Sequence, residues 1–356
     1  MSRPVRARID LAALRHNHAV ARRHAGAAQI WSVVKADAYG HGLMRAATAL
    51  AAVTDGFALI ELEGALALRA AGIRHPILML EGCYAPEELP RYAEHGLIPV
   101  LHRPEQVAWL VQAALPQPLP VYLKLNTGMN RLGFNADEFR TALEVLPGCA
   151  EITLMTHFAD ADDARGIAAQ MACLADMRGD LPYPLCLANS AALLRYPESV
   201  GDRVRPGIML YGSSPFPERS AAALDLLPVM TLESEVLAVR ELQVGDRVGY
   251  GGTYAAAAPM RIGIVACGYG DGYPRHAPSG TPILVAGQRT QTVGRVSMDK
   301  LCVDLTALPQ AGVGAPVVLW GRGLAADEVA AAAGTISYEM FCALAKRVPI
   351  VEEDRG

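Results

Sequence analysis

Eight short apolar runs lie between Ile30 and Gly212, most of them separated by a stretch of helical periodicity. They are Ile30 to Lys35, Gly56 to Ile60, Pro76 to Leu80, Leu97 to Leu101, Val121 to Leu125, Ile152 to Thr156, Leu185 to Ala188 and Arg205 to Leu210. The intervening segments, among them Leu43 to Val53, Leu62 to Ala71, Glu105 to Leu115, Ala136 to Leu146 and Ile167 to Met177, are long enough for two or more helical turns. Strand alternating with helix implies parallel pairing, because parallel neighbours need a crossover between them. Eight such units in roughly 200 residues fit a closed (β/α)8 TIM barrel. An open doubly wound sheet fits less well, because no Gly-x-Gly-x-x-Gly follows the first run.

Polar residues gather where these runs finish: Lys35, Glu81, His102, Lys124, His157 and the pair Asn189-Ser190. In a barrel the carboxyl ends of all strands meet at one mouth, so residues spread over the sequence converge on one ligand. After Gly212 the pattern changes. Pro215, Pro217 and Pro228 punctuate a linker, and close-spaced β-branched runs follow at Leu232 to Val239, Arg247 to Tyr254, Arg261 to Ala266, Ile283 to Val285, Thr290 to Val296, Leu301 to Leu305 and Val317 to Trp320. Helices are expected at Ala325 to Ala333 and Ser337 to Lys346. The expected plan is a barrel over residues 1–225 and a mostly β domain over 226–356.

A formal charge of −4 argues against a broad nucleic-acid surface. No apolar stretch reaches the roughly 18 residues of a membrane span, and the basic N-terminus leads into a charged helical pattern from Asp10 to Ala25 rather than a signal core. A cytoplasmic protein acting on a small molecule is expected, with no metal site. The seven cysteines, Cys83, Cys149, Cys173, Cys186, Cys267, Cys302 and Cys342, are odd in number and form no C-x-x-C pair, as expected of reduced thiols.

Lysine is scarce: four stand against twenty-eight arginines. A chain that draws nearly all its positive charge from arginine leaves each lysine to be explained by amine chemistry, since only the amine sheds its proton and attacks a carbonyl. Lys35 ends an apolar run and opens Lys35-Ala36-Asp37-Ala38-Tyr39-Gly40-His41-Gly42. An amine, a phenol and the free N–H groups of a turn together suit an aldehyde cofactor that carries a phosphate.

The run Val33 to Gly42 resembles the pyridoxal-phosphate attachment signature of the alanine racemase family. Lys124 to Gly133, Thr156 to Ala159, Asn189-Ser190, Arg203 to Ile208, Val248 to Tyr254, Gly268 to Gly272 and Gly294 to Asp299 are similar to the same family at matching places. The resemblance implies that Lys35 holds pyridoxal 5'-phosphate as a Schiff base and then acts as one of two bases. Tyr250, from the second subunit of a homodimer, would be the other, with His157 and Arg205 supplying positive surroundings to its phenol. Arg205 would face the pyridine nitrogen. Because a guanidinium keeps its proton, the ring nitrogen would stay neutral and the ring a weaker electron sink.

By the same resemblance Tyr39, Ser190, Gly207, Ile208 and Tyr338 would hold the phosphate, and Arg131 with the backbone of Met298 the substrate carboxylate. Tyr250, Tyr269 and Tyr338 would crowd the entrance and favour alanine. Lys124 matches a lysine that is carbamylated in many relatives, while Asn126 stands where many carry aspartate. Interconversion of L- and D-alanine would serve either cell-wall supply or alanine breakdown. The rival readings are another amino-acid racemase, a barrel-type decarboxylase of basic amino acids, and a non-catalytic pyridoxal-phosphate carrier. Arg205 and Tyr250 speak against the decarboxylase, which would favour a carboxylate and a cysteine in those roles.

Overall fold

A computed structural model describes residues 3–113, 115, 117–146 and 150–354. Cys149 lies outside the described residues. Strand β1 (Arg6–Asp10) is followed by helix α1 (Leu11–Ala25), whose first turn is capped by the Asp10 carboxylate accepting the Ala13 N–H at 2.9 Å.

Eight strands then close a parallel barrel: β2 (Gln29–Val33), β3 (Gly56–Leu59), β4 (Ile77–Met79), β5 (Leu97–Leu101), β6 (Leu119–Lys124), β7 (Ala150–Met155), β8 (Leu185–Cys186) and β9 (Arg203–Val204). Closure is made by β2 on β9, with Gln29 opposite Arg203 and Ile30 opposite Val204. Seven of the eight expected runs coincide with strands. The eighth does not: Arg205 to Leu210 lies beyond the strand, and Ile208–Tyr211 is a 3-10 turn. Pro206 has no N–H to give to the ladder, and the pairing stops there. This shift of register carries Arg205 from the start of a strand to its carboxyl end, at the barrel mouth.

The C-terminal strands are β10 (Met230–Leu242), β11 (Arg247–Val248), β12 (Tyr254–Ala255), β13 (Met260–Val265), β14 (Pro282–Val285), β15 (Gln288–Val293), β16 (Leu301–Asp304), β17 (Pro316–Trp320) and β18 (Ile350–Glu353). The expected strand Arg247 to Tyr254 is instead a small hairpin of β11 and β12 around a 3-10 turn, Tyr250–Gly252. The larger sheet runs β13-β16-β15-β14-β17-β10-β1-β18, and a further β10–β13 pairing closes six of these strands on themselves.

The helices expected at 325–333 and 337–346 are present at Ala326–Ala333 and Ser337–Cys342, the second shorter than its pattern. The basic N-terminus is a strand rather than an approach to α1. It lies between β10 and β18, with Val5, Ala7 and Ile9 buried while Arg6 and Arg8 pair with Glu233 and Arg8 also with Glu353. Alternation of period two is the strand signal there, and arginine side chains on the other face mask it. Among the described residues no helix is long and apolar enough to cross a membrane.

Candidate functional site

Lys35 follows β2 by two residues, at the head of an unusual turn. Ala36, Asp37, Ala38 and Tyr39 all have φ between 52° and 54°, the left-handed region that costs a non-glycine residue about 1–2 kcal/mol. The turn is held by Ala38 N–H on the Val34 carbonyl (2.9 Å), Gly40 N–H on Ala36 (3.0 Å) and the Asp37 carboxylate accepting the Leu43 N–H (2.6 Å). Strain persists in a fold only where the surroundings over-determine it, and such places cluster at functional sites. Gly40 is packed so closely that a Cβ there would meet the Phe341 carbonyl oxygen at 2.1 Å.

The barrel mouth encloses a cavity of about 690 Å³, within the range of small-molecule sites. Lys35, Tyr39, Lys124 and Arg131 line it, as do His157, Ser190, Arg205, Gly207, Ile208 and Tyr338. Ten expected site residues, drawn from β2 to the 3-10 turn after β9 and from the C-terminal helix at 337–342, thus meet at one place. Glu81, after β4, and Asp162 bring carboxylates to the same wall.

Arg205 is almost fully buried. Its Nη1 donates to the Cys186 carbonyl (2.7 Å) and contacts Cys186 Sγ (3.1 Å), while Nη2 donates to the carbonyls of Thr156 (2.8 Å) and Leu187 (3.2 Å) and meets His157 Nδ1 at 3.4 Å. Both terminal nitrogens are therefore fixed to the barrel wall. Burial, then Arg205, Lys124, Arg131 and Lys35, hold the His157 imidazole neutral, well below its ordinary value.

Burial and then Arg131 push the Lys35 amine down, against the pull of Glu81. Lys124 is buried and has its amine pushed down to about 8 by burial, then Arg205 and Arg131, with Glu81 opposing. A lysine with a depressed pKa is a stronger nucleophile at neutral pH because more of it is unprotonated.

Beside the Lys35 strand, where β9 pairs with β2, the wall is shaped for an anion. Ser190 opens the helix Ser190–Arg195, and its Oγ accepts the N–H groups of Gly207 (2.9 Å) and Met209 (3.4 Å), leaving its own proton to donate. The Tyr39 ring stacks on Tyr211 with centroids 4.8 Å apart, and Tyr338 lies 6.0 Å from Tyr39. A Cβ on Gly207 would come within 2.6 Å of the Tyr39 hydroxyl, so the glycine is what lets hydroxyl and backbone close on the same space.

Arg131 reaches the cavity from the loop after β6 and makes no hydrogen bond or ion pair among the described residues. Its loop is organised by Asn126, whose Oδ1 accepts the N–H groups of Gly128 (3.2 Å) and Asn130 (2.9 Å) while Nδ2 donates to Asn130 Oδ1 (3.0 Å). An aspartate could accept both N–H groups but could not donate to Asn130. Asn126 therefore shapes the turn, and its side-chain hydrogen bonds go to Gly128 and Asn130 rather than to Arg131.

Tyr250 and Met298 are not in the cavity. Both lie in the C-terminal region on open surface, 73% and 53% exposed, and Tyr269 is 38% exposed. The Tyr269 N–H donates to the Ser297 carbonyl (3.0 Å) and Gly270 to Met298 (2.8 Å), so the Tyr269 turn and the Met298 segment are tied together through their backbones. Asp271 holds that loop from within: fully buried, it takes Arg3 (2.7 and 2.9 Å), Arg347 (2.8 Å) and the Gly268 N–H (3.1 Å). Asp162, Cys342 and Gln170 carried no signal in the sequence that distinguished them from surface, core or helix residues.

The family model for the N-terminal domain of alanine racemase matches residues 9–215, and that for its C-terminal domain matches 229–352. Alanine racemase of Nitrosospira multiformis is 54% identical over 354 residues, 98% of this chain and 99% of its own. The crystal structure of the biosynthetic alanine racemase from Pseudomonas aeruginosa superposes with a TM-score of 0.95 at 47% identity, covering 99% of both chains. The alanine racemase of Bartonella henselae, solved with covalently bound pyridoxal phosphate, does so with a TM-score of 0.88 at 28% identity, covering 98% of this chain and 99% of its own. Over both of its domains, this chain belongs to the alanine racemase family.

Proposed function

We propose that this chain interconverts L- and D-alanine with pyridoxal 5'-phosphate as cofactor, by two bases from two subunits. The observation that carries the reading is the pairing, in one cavity, of a lysine amine with a depressed pKa and an anion cradle around Gly207. The donor set fits the cofactor. Lys35 offers the amine for its aldehyde. Tyr39, Ser190, Tyr338 and the chain at Gly207 and Ile208 would hold its phosphate, and Arg205 the ring nitrogen, with His157 beside the ring. When bound, the group supplies a conjugated ring that accepts the electron pair left as an amino acid loses its α-proton.

The chain's own residues do the rest. Arg131 orients the substrate carboxylate. Lys35, once released, takes or returns the α-proton on one face, serving the D-enantiomer. On the other face Tyr250 of the partner subunit does so for the L-enantiomer, and the backbone of Met298 from that subunit adds a second hold on the carboxylate. The exposure of Tyr250 and Met298 supports sharing, because neither serves the cavity of its own chain. Lys124 is a candidate for carbamylation: its neutral amine adds to carbon dioxide and loses one proton, giving an anion in place of a cation near Arg131.

Incubation with L-alanine and pyridoxal phosphate tests the activity. Optical rotation should fall to zero at constant total alanine, and should not fall with Lys35→Ala. Unchanged rotation with the wild-type chain refutes racemisation of alanine. For sharing, Lys35→Ala and Tyr250→Phe chains are mixed. Each alone is inactive, and partial activity appears on mixing because one heterodimer site keeps both bases; no recovery rules out the two-subunit site.

A further inference from the structure

Arg131 makes no hydrogen bond or ion pair among the described residues, so the position of its guanidinium depends on the backbone of its loop. That loop is anchored through a buried polar chain outside the cavity. Gln170, on the helix Ala168–Arg178, points its amide between two strand-end loops. Its Oε1 accepts the Ala159 N–H at 2.8 Å; its Nε2 donates to Thr127 Oγ1 at 3.0 Å and to the His157 carbonyl at 3.1 Å. The Ala159 N–H can only donate, so the amide orientation is forced.

The rest of the chain has one consistent direction. Thr156 donates its hydroxyl to the Leu125 carbonyl (3.1 Å), so the Thr127 hydroxyl must donate to Thr156 Oγ1 (2.6 Å) and accept from Gln170. Every polar atom in this buried path is used. One end is the Thr127 turn, four residues before Arg131, with the Gln170 stem 3.6 Å from where a Gly128 Cβ would stand. The other end is the Thr156–His157 segment, whose carbonyl and ring receive Arg205. Fully satisfied buried networks of this kind fix relative geometry, and breaking one member leaves the others unpaired.

We infer that Gln170 is a positioning residue that sets the loop of Arg131 against the Arg205–His157 wall, and so fixes where the substrate carboxylate sits relative to the cofactor ring. The inference rests on the reading of Arg131 as the carboxylate ligand. It concerns alignment, so it predicts a defect confined to ligands that carry a carboxylate.

The test uses the holoenzyme and the change in cofactor absorbance on adding D-alanine or isopropylamine, an amine of similar size with no carboxylate. The variants are Gln170→Leu, the isosteric Thr127→Val in case the first fails to fold, and Arg131→Ala. Gln170→Leu or Thr127→Val should weaken D-alanine about tenfold, as for one misplaced charged hydrogen bond, and leave isopropylamine within about twofold. In turnover the loss should fall on KM more than on kcat. Equal losses for both ligands, or none for alanine, with Arg131→Ala still selective, overturn the role of Gln170 and leave that of Arg131 intact. If Arg131→Ala itself weakens both ligands alike, the carboxylate reading fails and this inference fails with it.

Discussion

Replacing Gly207 by alanine probes the anion cradle with a single methyl group. The added carbon would stand 2.6 Å from the Tyr39 hydroxyl oxygen, 3.3 Å from Tyr39 Cζ and 3.7 Å from Val33 Cβ. An ordinary contact begins near 3.4 Å, so the hydroxyl must retreat by roughly 0.8 Å. Retreat is hindered, because the ring is stacked on Tyr211 and its backbone is locked in the left-handed turn. Overpacking of this kind costs about 1–3 kcal/mol. If that cost falls on the phosphate-holding arrangement, cofactor affinity drops by about fivefold to about 150-fold. Titration of the apoprotein with pyridoxal phosphate, followed by absorbance, measures it; kcat at saturating cofactor should change much less. Tyr39→Phe removes the oxygen that clashes, so Gly207→Ala should cost clearly less in that background. Full affinity in Gly207→Ala, or an equal cost with and without the Tyr39 hydroxyl, would refute the argument.

Further outcomes follow from the same geometry. Ala36→Gly should raise stability by up to about 1 kcal/mol in thermal or urea unfolding, opposite to the usual loss, because glycine occupies φ 52° without a Cβ penalty. Arg3 and the Gly268 N–H hold the Asp271 carboxyl below its ordinary value against burial, which raises it and is the largest influence. A depressed carboxylate contributes stability above its unfolded pKa of about 3.9 and loses it as pH falls through the folded value, so Asp271→Asn should flatten acid unfolding below about pH 4. Uptake of labelled bicarbonate by Lys124, followed by carbon NMR, should rise through about pH 8 rather than in the ordinary range of a lysine amine, and vanish in Lys124→Met.

The barrel was legible because eight apolar runs with helical spacers leave few alternatives, and the named strand-end residues other than His102 then line one cavity whatever the exact boundaries. Arg205 shows where that reasoning slips. Arg205 to Leu210 is apolar enough to read as strand, yet Pro206 removes a donor and the ladder ends at Val204. Strand β1 was hidden because its arginines read as a charged tail, and only their partners Glu233 and Glu353, more than 220 residues away, explain them. The left-handed turn was invisible for a different reason: alanine and tyrosine do not favour positive φ and a single aspartate does not announce four such residues in a row, a conformation imposed by tertiary contacts. Gln170 likewise looks like any helix residue until Ala159, Thr127 and His157 surround it.

The depressed amines of Lys35 and Lys124 and the neutral His157 share two causes, burial first and then the crowd of neighbouring cations. Lys35, Lys124, Arg131 and Arg205 stand around a cavity in which Glu81 and Asp162 are the carboxylates. Close cations relieve their repulsion either by losing protons, which the lysines and histidine can do and the arginines cannot, or by gathering anions. Base strength and anion affinity are therefore coupled here. Whatever neutralises Arg131 or Arg205 returns basicity to Lys35 and Lys124, so binding inorganic phosphate to the apoprotein near pH 8 should take up protons from solution. Arg131→Ala removes part of the repulsion beforehand and should reduce that uptake. A calorimetric comparison in buffers of different ionisation enthalpy reads the proton number directly, and an uptake that is zero, or unchanged by Arg131→Ala, would break the link between the cavity's charge and its chemistry.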